Sequence, residues 1–226
     1  AEIAAFAKAR GVRVHTDAAQ SSGKIAVDVN ALGVDLLSLA GHKLYAPKGV
    51  GALFIRRGVP LETFMHGAGQ ELGRRAGTEN ILEIVGLGKA CEIAGRDLER
   101  RRRHMQEMRD RLHAAVSAGG ADVRLNGHPA KRLPNTLSLS FRDLEANRLL
   151  EAIGLEVAAS AGAACHADSI EISHVLRAMG VPVEWAKGTL RLTTGRMTTA
   201  AEIDRAAAVI VEAVLAIRDS RKKNAG

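Results

Sequence analysis

Aromatic residues are scarce in this 226-residue chain, at 3% of the sequence. The scarcity argues against a platform that stacks the bases of single-stranded nucleic acid. No apolar run reaches the roughly 18 residues of a membrane-spanning helix, so we expect no integral membrane protein and no membrane partner. The sequence also lacks a Walker loop, a dinucleotide-binding glycine fingerprint and a histidine–cysteine spacing typical of zinc sites. Because these motifs are absent, we expect no nucleotide-binding loop and no metal site.

Cysteine is nearly absent as well, because Cys91 and Cys165 are the two in the chain. Two cysteines cannot build a disulfide framework, and no secretory segment is visible at the start, so we expect a cytoplasmic protein. Cys91 lies on an apolar helical stretch and is predicted to be a small core residue. The chain starts at Ala1, within a pattern that is already helical, and we therefore expect a fragment or a processed chain.

The composition is that of a globular protein, with 46% hydrophobic and 25% charged residues. The formal net charge is +7, and much of it lies in Arg100–Arg103 and Arg218–Lys223. We interpret both runs as solvated helix faces. No recognition motif accompanies them, so nucleic-acid binding is not expected.

Hydrophobic patterning predicts an α/β part over residues 1–100 and a compact α+β unit over residues 101–226, with the boundary inside a long helical stretch. The predicted helices are 1–10, 81–118 (one helix or two joined), 144–153, 172–179 and 200–217. The predicted strands are 12–16, 34–39, 51–56, 136–141 and 189–193.

Two polar clusters follow predicted strands in the first part. Lys43 follows strand 34–39 in a glycine-rich loop, where partial desolvation can turn a lysine into a nucleophile. Asp17 follows strand 12–16, and a carboxylate there could keep a pyridine nitrogen protonated. Considered alone, Lys43 could be an ordinary surface lysine and Asp17 could be a residue that forms a turn. Their pairing at the ends of two predicted strands is more specific for pyridoxal chemistry than either residue alone.

Two further residues could carry chemistry in the second part. Cys165 ends a run of small residues at 158–164, which predicts an exposed, mobile loop carrying a reactive thiol. Arg191 lies inside an apolar strand, where an arginine is costly unless it meets an anion. A clamp on a substrate carboxylate and a structural salt bridge both remain open for it.

In combination these motifs resemble the C-terminal part of the cysteine desulfurases, the NifS-like branch of the class V aminotransferases. The resemblance extends over essentially the whole chain. It rests on four segments in the family's order: His15–Gln20, Gly41–Lys43, Arg75–Asn80, and Cys165 in its small-residue loop. It implies an α/β fold of the pyridoxal-phosphate-dependent transferase type, represented by part of the large cofactor-binding domain (1–100) and the small C-terminal domain (101–226).

The resemblance also implies the cofactor, pyridoxal 5'-phosphate, and a role for each matching residue. Lys43 would hold the cofactor covalently and move the substrate's α-proton. Asp17 would pair with the pyridine nitrogen, Gln20 with the phenolate oxygen, and His42 with the phosphate. Thr78 would reach the phosphate in a neighbouring subunit, which implies a homodimer. Arg191 would clamp the carboxylate of L-cysteine, and Cys165 would take its sulfur as a persulfide, releasing alanine for sulfur transfer to an acceptor protein such as an iron–sulfur scaffold.

Two departures from the family pattern qualify this expectation. Ala40 stands where many relatives have a serine that contacts the phosphate. The resemblance also implies roughly 160 further residues before this chain's first residue, and the longer chain would have the usual size of a two-domain protein. The alternatives to cysteine desulfurase activity are a selenocysteine lyase or a related pyridoxal-phosphate lyase, and an inactive fragment without catalysis.

Overall fold

The structure, a computed structural model, describes the backbone of residues 1–166 and 169–224 and the side chains of residues 1–162 and 172–221. The chain divides into two compact units, Ala1–Arg100 (unit 1) and Arg101–Gly226 (unit 2). Within the described residues, no helix combines the length and the apolar character needed to cross a membrane.

The described residues form helices and strands in both units. The helices are α1 Glu2–Lys8, α2 Val29–Leu32, α3 Gln70–Gly73, α4 Ile81–Arg96, α5 Leu98–Ala118, α6 Ala146–Ile153, α7 His174–Ala178, α8 Val183–Ala186 and α9 Ala200–Asn224, with a 3-10 helix at Gly41–Leu44. The strands are β1 His15–Asp17, β2 Leu36–Ala40, β3 Gly51–Ile55, β4 Val123–Leu125, β5 Thr136–Phe141, β6 Ser160–Ala161, β7 Ala163–His166, β8 Ser169–Ile172 and β9 Thr189–Thr193.

Unit 1 is built on a three-stranded sheet in the order β1-β2-β3. β1 runs parallel to β2, and β3 runs antiparallel to it. The apolar side chains form two separate clusters. One contains Ala4, Ala18, Val34 and Leu37, and the other contains Leu44, Leu87, Ala90 and Ala94.

Arg56 ties the end of β3 to the connection between α2 and β2. Its guanidinium donates from Nε to the Val34 carbonyl at 2.9 Å, from Nη2 to the Val29 carbonyl at 2.8 Å and from Nη1 to Asn30 Oδ1 at 3.1 Å. Two of these acceptors are main-chain carbonyls, so the side chain satisfies backbone groups that lie outside regular secondary structure or at the start of a helix.

Unit 2 contains an antiparallel sheet in the order β4-β5-β9-β6. The central strand β5 places Leu137, Leu139 and Phe141 in the interior, each no more than 1% exposed. Residues of α5, α6 and α9 pack with them into one core, including Val116, Leu149 and Ile210. Strands β7 and β8 form a separate antiparallel hairpin.

The predicted bounds of β5 and β9 agree with the structure, while other elements differ. The helical stretch 81–118 is two helices, because Asp97 leaves the helical conformation (φ −101°, ψ 9°) between α4 and α5. The helix predicted from residue 172 begins at His174, because Ile172 belongs to β8. Arg101 is 8% exposed, so the interpretation of Arg100–Arg103 as a wholly solvated face was wrong.

Candidate functional site

The carboxyl ends of β1 and β2 bring Asp17 and Lys43 to one edge of the unit 1 sheet. The strands are parallel, with Asp17 opposite Ser38, and the Ala18 N–H donates to the Ser38 carbonyl at 2.8 Å. β2 continues to Ala40, and the 3-10 helix that carries Lys43 follows at once. Side chains after the carboxyl ends of neighbouring parallel strands share the crevice where ligands of open α/β sheets bind.

The tight turn that carries Lys43 depends on a glycine. The Gly41 N–H donates to the Val50 carbonyl at 2.9 Å. A Cβ at Gly41 would lie 2.7 Å from that same oxygen, so a larger residue would push the turn away from the loop that follows it. Glycine is therefore required where the backbone approaches so closely. His42 and Lys43, the next two residues, are both exposed.

Asp17 presents an open carboxylate at this edge. Its Oδ1 accepts the Ala19 N–H at 2.8 Å, which fixes the orientation of the group, and the residue is exposed. A carboxylate of this kind can accept a further hydrogen bond, for example from a protonated ring nitrogen. Gln20 is exposed three residues further along, in the turn that follows β1.

Lys24 is a second amine near Lys43 that the sequence motifs did not single out. Its Nζ is buried and meets no hydrogen-bond acceptor in the described part of the chain. Burial, and then the charge of Lys43, lower the pKa of Lys24 below its ordinary 10.5. The one signal in the sequence is the pair Gly23-Lys24, which ends the turn after β1. The glycine allows a close approach, because a Cβ there would meet Leu44 Cδ2 at 2.6 Å.

Thr78 lies on a different segment, the loop between α3 and α4, and is exposed. Arg75 holds this loop by donating from Nη1 to the Gly77 carbonyl at 2.6 Å and to the Ala76 carbonyl at 3.1 Å. Gly77 has a φ of +96°, a conformation that L side chains rarely adopt. Large apolar residues on both sides of the loop are open to solvent, with Leu72 90% and Leu82 86% exposed.

Arg191 lies in unit 2 on β9, and its setting corrects the sequence interpretation. The strand alternates, with Leu190 and Leu192 buried and Arg191 exposed, so the guanidinium faces the open side of the sheet rather than an apolar interior. Its Nη2 donates to Ser160 Oγ at 3.1 Å. Arg191 therefore carries no buried charge that an anion must offset, contrary to the prediction, although an exposed arginine can still bind a carboxylate.

Cys165 lies on β7, where its backbone pairs with Ile170 of β8, and its side chain lies outside the described residues. The small-residue segment predicted as a loop contains β6 and β7 instead. Close packing accounts for part of its composition, since a Cβ at Gly162 would lie 2.7 Å from the Thr189 side chain.

Cys91 was wrongly assigned to the core. It is exposed on α4, and partial burial of its sulfur raises the pKa of the thiol. A raised pKa disfavours the nucleophilic thiolate. Across residues with described side chains, no group of three or more histidine, cysteine, aspartate or glutamate side chains could hold a metal ion.

Comparison with known proteins identifies relatives of both the sequence and the fold. The family model for aminotransferase class V matches residues 1–206. The chain is 45% identical over 219 residues to a cysteine desulfurase IscS from Methanosarcina thermophila, covering 96% of this chain and 54% of that protein. It is 43% identical over 205 residues to the cysteine desulfurase NifS of Azotobacter vinelandii, covering 90% of this chain and 51% of that protein.

Solved structures with a similar fold agree with the match to the aminotransferase class V family. A NifS-like protein superposes with a TM-score of 0.82 at 35% identity, covering 92% of this chain and 53% of that one. A NifS-like protein from Rickettsia africae superposes with a TM-score of 0.83 at 28% identity, covering 96% and 57%. The predicted fold class is thereby confirmed. The chain spans about half the length of the relatives it matches.

Proposed function

Since the chain belongs to the class V aminotransferase family, whose cysteine desulfurase members depend on pyridoxal phosphate, we propose that it is the part of a cysteine desulfurase that carries the cofactor-binding lysine and the persulfide cysteine. The observation that supports this most directly is the placement of Asp17 and Lys43 at the carboxyl ends of neighbouring parallel strands. The proposed reaction removes sulfur from L-cysteine and yields L-alanine.

The residues at this edge fit an anionic aldehyde cofactor. Lys43 offers an exposed amine, and Asp17 offers a carboxylate for the ring nitrogen. The buried amine of Lys24 has no acceptor of its own among the described residues, so it adds uncompensated polarity of the sign that an anionic ligand requires. When bound, pyridoxal phosphate supplies an electron sink that stabilises negative charge at the substrate's α-carbon.

The chain's own groups then divide the work. Lys43 accepts and returns the α-proton as general base and acid. Asp17 keeps the ring nitrogen protonated, while Gln20 and His42 orient the phenolate oxygen and the phosphate. Arg191, on the open face of the unit 2 sheet, binds the substrate carboxylate.

Cys165 receives the sulfur in this proposal. Its thiolate attacks the sulfur of the bound L-cysteine, an S–S bond forms, and the C–S bond breaks with its electron pair passing to carbon. That carbon takes up a proton and is released as alanine. The persulfide left on Cys165 is then available to an acceptor protein, for which an iron–sulfur scaffold is our proposal.

The apolar surface of unit 1 supports a homodimer. Phe64 is 93% exposed, and Leu72 and Leu82 on either side of the Thr78 loop are nearly as open. Exposed apolar patches of this kind mark sites of protein association. Association through this loop would allow Thr78 to contribute to the phosphate site of a second subunit.

The visible absorption spectrum of the purified chain with added pyridoxal phosphate tests the cofactor site. We expect a band that is lost in Lys43→Ala and retained in Lys48→Ala, which removes an exposed lysine from the same loop. A band of equal intensity in all three proteins would contradict the assignment of Lys43. Absence of a band in the unmutated chain would favour the non-catalytic alternative, because the chain spans about half of its relatives.

Product analysis tests the reaction itself. With L-cysteine we expect equimolar alanine and protein-bound sulfur, with bound sulfur lost in Cys165→Ser. L-selenocysteine distinguishes the lyase alternative, since a selenium-specific enzyme would release product with little dependence on Cys165.

A further inference from the structure

A cluster of basic side chains in unit 2 lies on elements that carry none of the residues predicted for pyridoxal chemistry. It forms where the connection between β4 and β5 packs on α5. The guanidinium of Arg109 on α5 donates from Nη1 to the Leu133 carbonyl at 2.9 Å. Within the connection, His128 Nδ1 accepts the N–H groups of Ala130 at 3.0 Å and Lys131 at 2.9 Å. These bonds fix the position of the next residue, Arg132.

Positive charge exceeds negative charge in this cluster. Arg109 and Arg132 share one carboxylate, Asp110, whose Oδ1 lies 2.7 Å from Arg109 Nη2 and 3.7 Å from Arg132 Nη2. The two arginine side chains are only 6% and 14% exposed, so water offsets little of their charge. One carboxylate, itself half exposed and closer to Arg109, leaves Arg132 without an equal counter-charge.

Arg132 also has donors that no acceptor meets. Its Nε and Nη1 are both buried and make no hydrogen bond to any described residue. Buried polar groups in native proteins are nearly always satisfied, and an unsatisfied one points to a bound water or ion. A guanidinium carries no acceptor, so whatever fills these positions must itself accept hydrogen bonds.

The neighbouring titratable groups respond to the same excess of positive charge. His113 lies one helical turn after Arg109, and burial followed by the charge of Arg132 lowers the pKa of its imidazole. Burial and then Arg109 lower the pKa of Arg132, while Asp110 acts in the opposite direction on both groups. Arg109, Arg132 and His113 therefore share a region of positive potential that Asp110 offsets only in part.

We propose that Arg132, with Arg109 and His113, forms a binding site for a small oxyanion of the phosphate or sulfate type. Such an anion has several acceptor oxygens, enough to meet the free Nε and Nη1 donors of Arg132 while balancing the second guanidinium. The loop that holds Arg132 is already fixed by its own hydrogen bonds, so binding requires little further ordering. The inference does not depend on the proposed desulfurase activity.

Thermal unfolding of the chain without pyridoxal phosphate tests this site. We expect sodium phosphate to raise the unfolding temperature in a saturable manner, beyond the effect of sodium chloride at equal ionic strength. Arg132→Met should weaken the apparent affinity about tenfold or more, the loss expected for charge-assisted hydrogen bonds. Lys131→Met, which removes the exposed neighbouring charge, should leave the affinity unchanged.

Phosphorus NMR of inorganic phosphate gives a second measurement that does not depend on stability. The unmutated chain should broaden the phosphate resonance, and Arg132→Met should abolish this broadening. Arg132→Lys, which keeps the charge, is the second variant if the methionine variant does not fold. Equal effects of phosphate and chloride would overturn the proposal and indicate that water fills the position. Phosphate binding unchanged in both Arg132 variants would overturn it as well, because the anion would bind elsewhere.

Discussion

Replacing Lys24 by methionine should stabilise the chain. The methionine side chain has nearly the length and volume of the lysine stem, so the packing of unit 1 is preserved while the buried amine is removed. A buried donor without an acceptor costs about 1–3 kcal/mol, and more when it is charged. Since Lys24 Nζ is such a donor, Lys24→Met should gain about 1–3 kcal/mol in the free energy of unfolding.

The pH dependence of that gain follows from the lowered pKa of Lys24. Between this lowered value and 10.5, the pKa of an unperturbed lysine, the unfolded chain binds the extra proton and the folded chain does not. Stability contributed by this group therefore rises with pH across that window. Below the window the folded chain bears the full cost of a buried ammonium. The advantage of Lys24→Met should accordingly be largest near neutral pH and shrink as pH approaches 10.5.

Urea unfolding at pH 7.5 and pH 10 measures both effects, and thermal unfolding should show a rise of about 2–4 °C per kcal/mol for a chain of this size. Lys48→Met is the matched control, because it removes an exposed lysine and should change stability by less than about 0.5 kcal/mol. A Lys24→Met variant that is less stable than the unmutated chain at pH 7.5 would refute the reasoning, because it would mean that the amine has a favourable partner.

Four other substitutions have defined outcomes. Gly188→Ala places a Cβ against the Phe141 carbonyl oxygen and should destabilise unit 2 by about 1–3 kcal/mol or more in urea unfolding. Gly95→Ala, which places a Cβ in open space on α4, should instead stabilise the chain by about 0.5–1 kcal/mol in the same measurement. Leu149→Ala, in the unit 2 core, should cost about 2–5 kcal/mol by the same measurement, and a smaller loss would mean that the core collapses around the cavity. Two N–H donors at the start of α2 lower the pKa of Asp28, so its stabilising effect should be lost as the pH falls through this lowered pKa. Asp28→Asn should therefore make the free energy of unfolding less dependent on pH in the acid range.

The sequence predicted most accurately what periodicity and strand direction determine. β5 and β9 have the predicted bounds because their buried positions follow the alternating pattern. The placement of Asp17 and Lys43 at the carboxyl ends of β1 and β2 followed from their position at the ends of two short predicted strands, which proved to be parallel. The antiparallel direction of β3 could also have been predicted, since its ten-residue connection from β2 is shorter than most parallel crossovers.

What the sequence did not predict depends on tertiary packing. Gly23 allows Leu44 to approach the turn that ends at Lys24, whose amine is buried, and a Gly-Lys pair in a turn has no periodicity that reveals such burial. The strands β6 and β7 lie in a run of small residues, which lacks the side-chain alternation of an ordinary strand. The exposure of Cys91 was missed because the outer face of α4 is itself apolar, so composition could not separate its two faces.

The three hydrogen bonds of Arg56 have a consequence for limited proteolysis. Trypsin must take an arginine side chain into its specificity pocket before it can cleave. Arg57, the next residue, is exposed, whereas the guanidinium of Arg56 is engaged by two carbonyls and the Asn30 amide oxygen. Cleavage after Arg56 thus requires local opening of unit 1, and its rate reports the population of that opened state. We expect a fragment ending at Arg57 to appear before one ending at Arg56. The relative rates of these two cleavages would then measure how well ordered the end of β3 is.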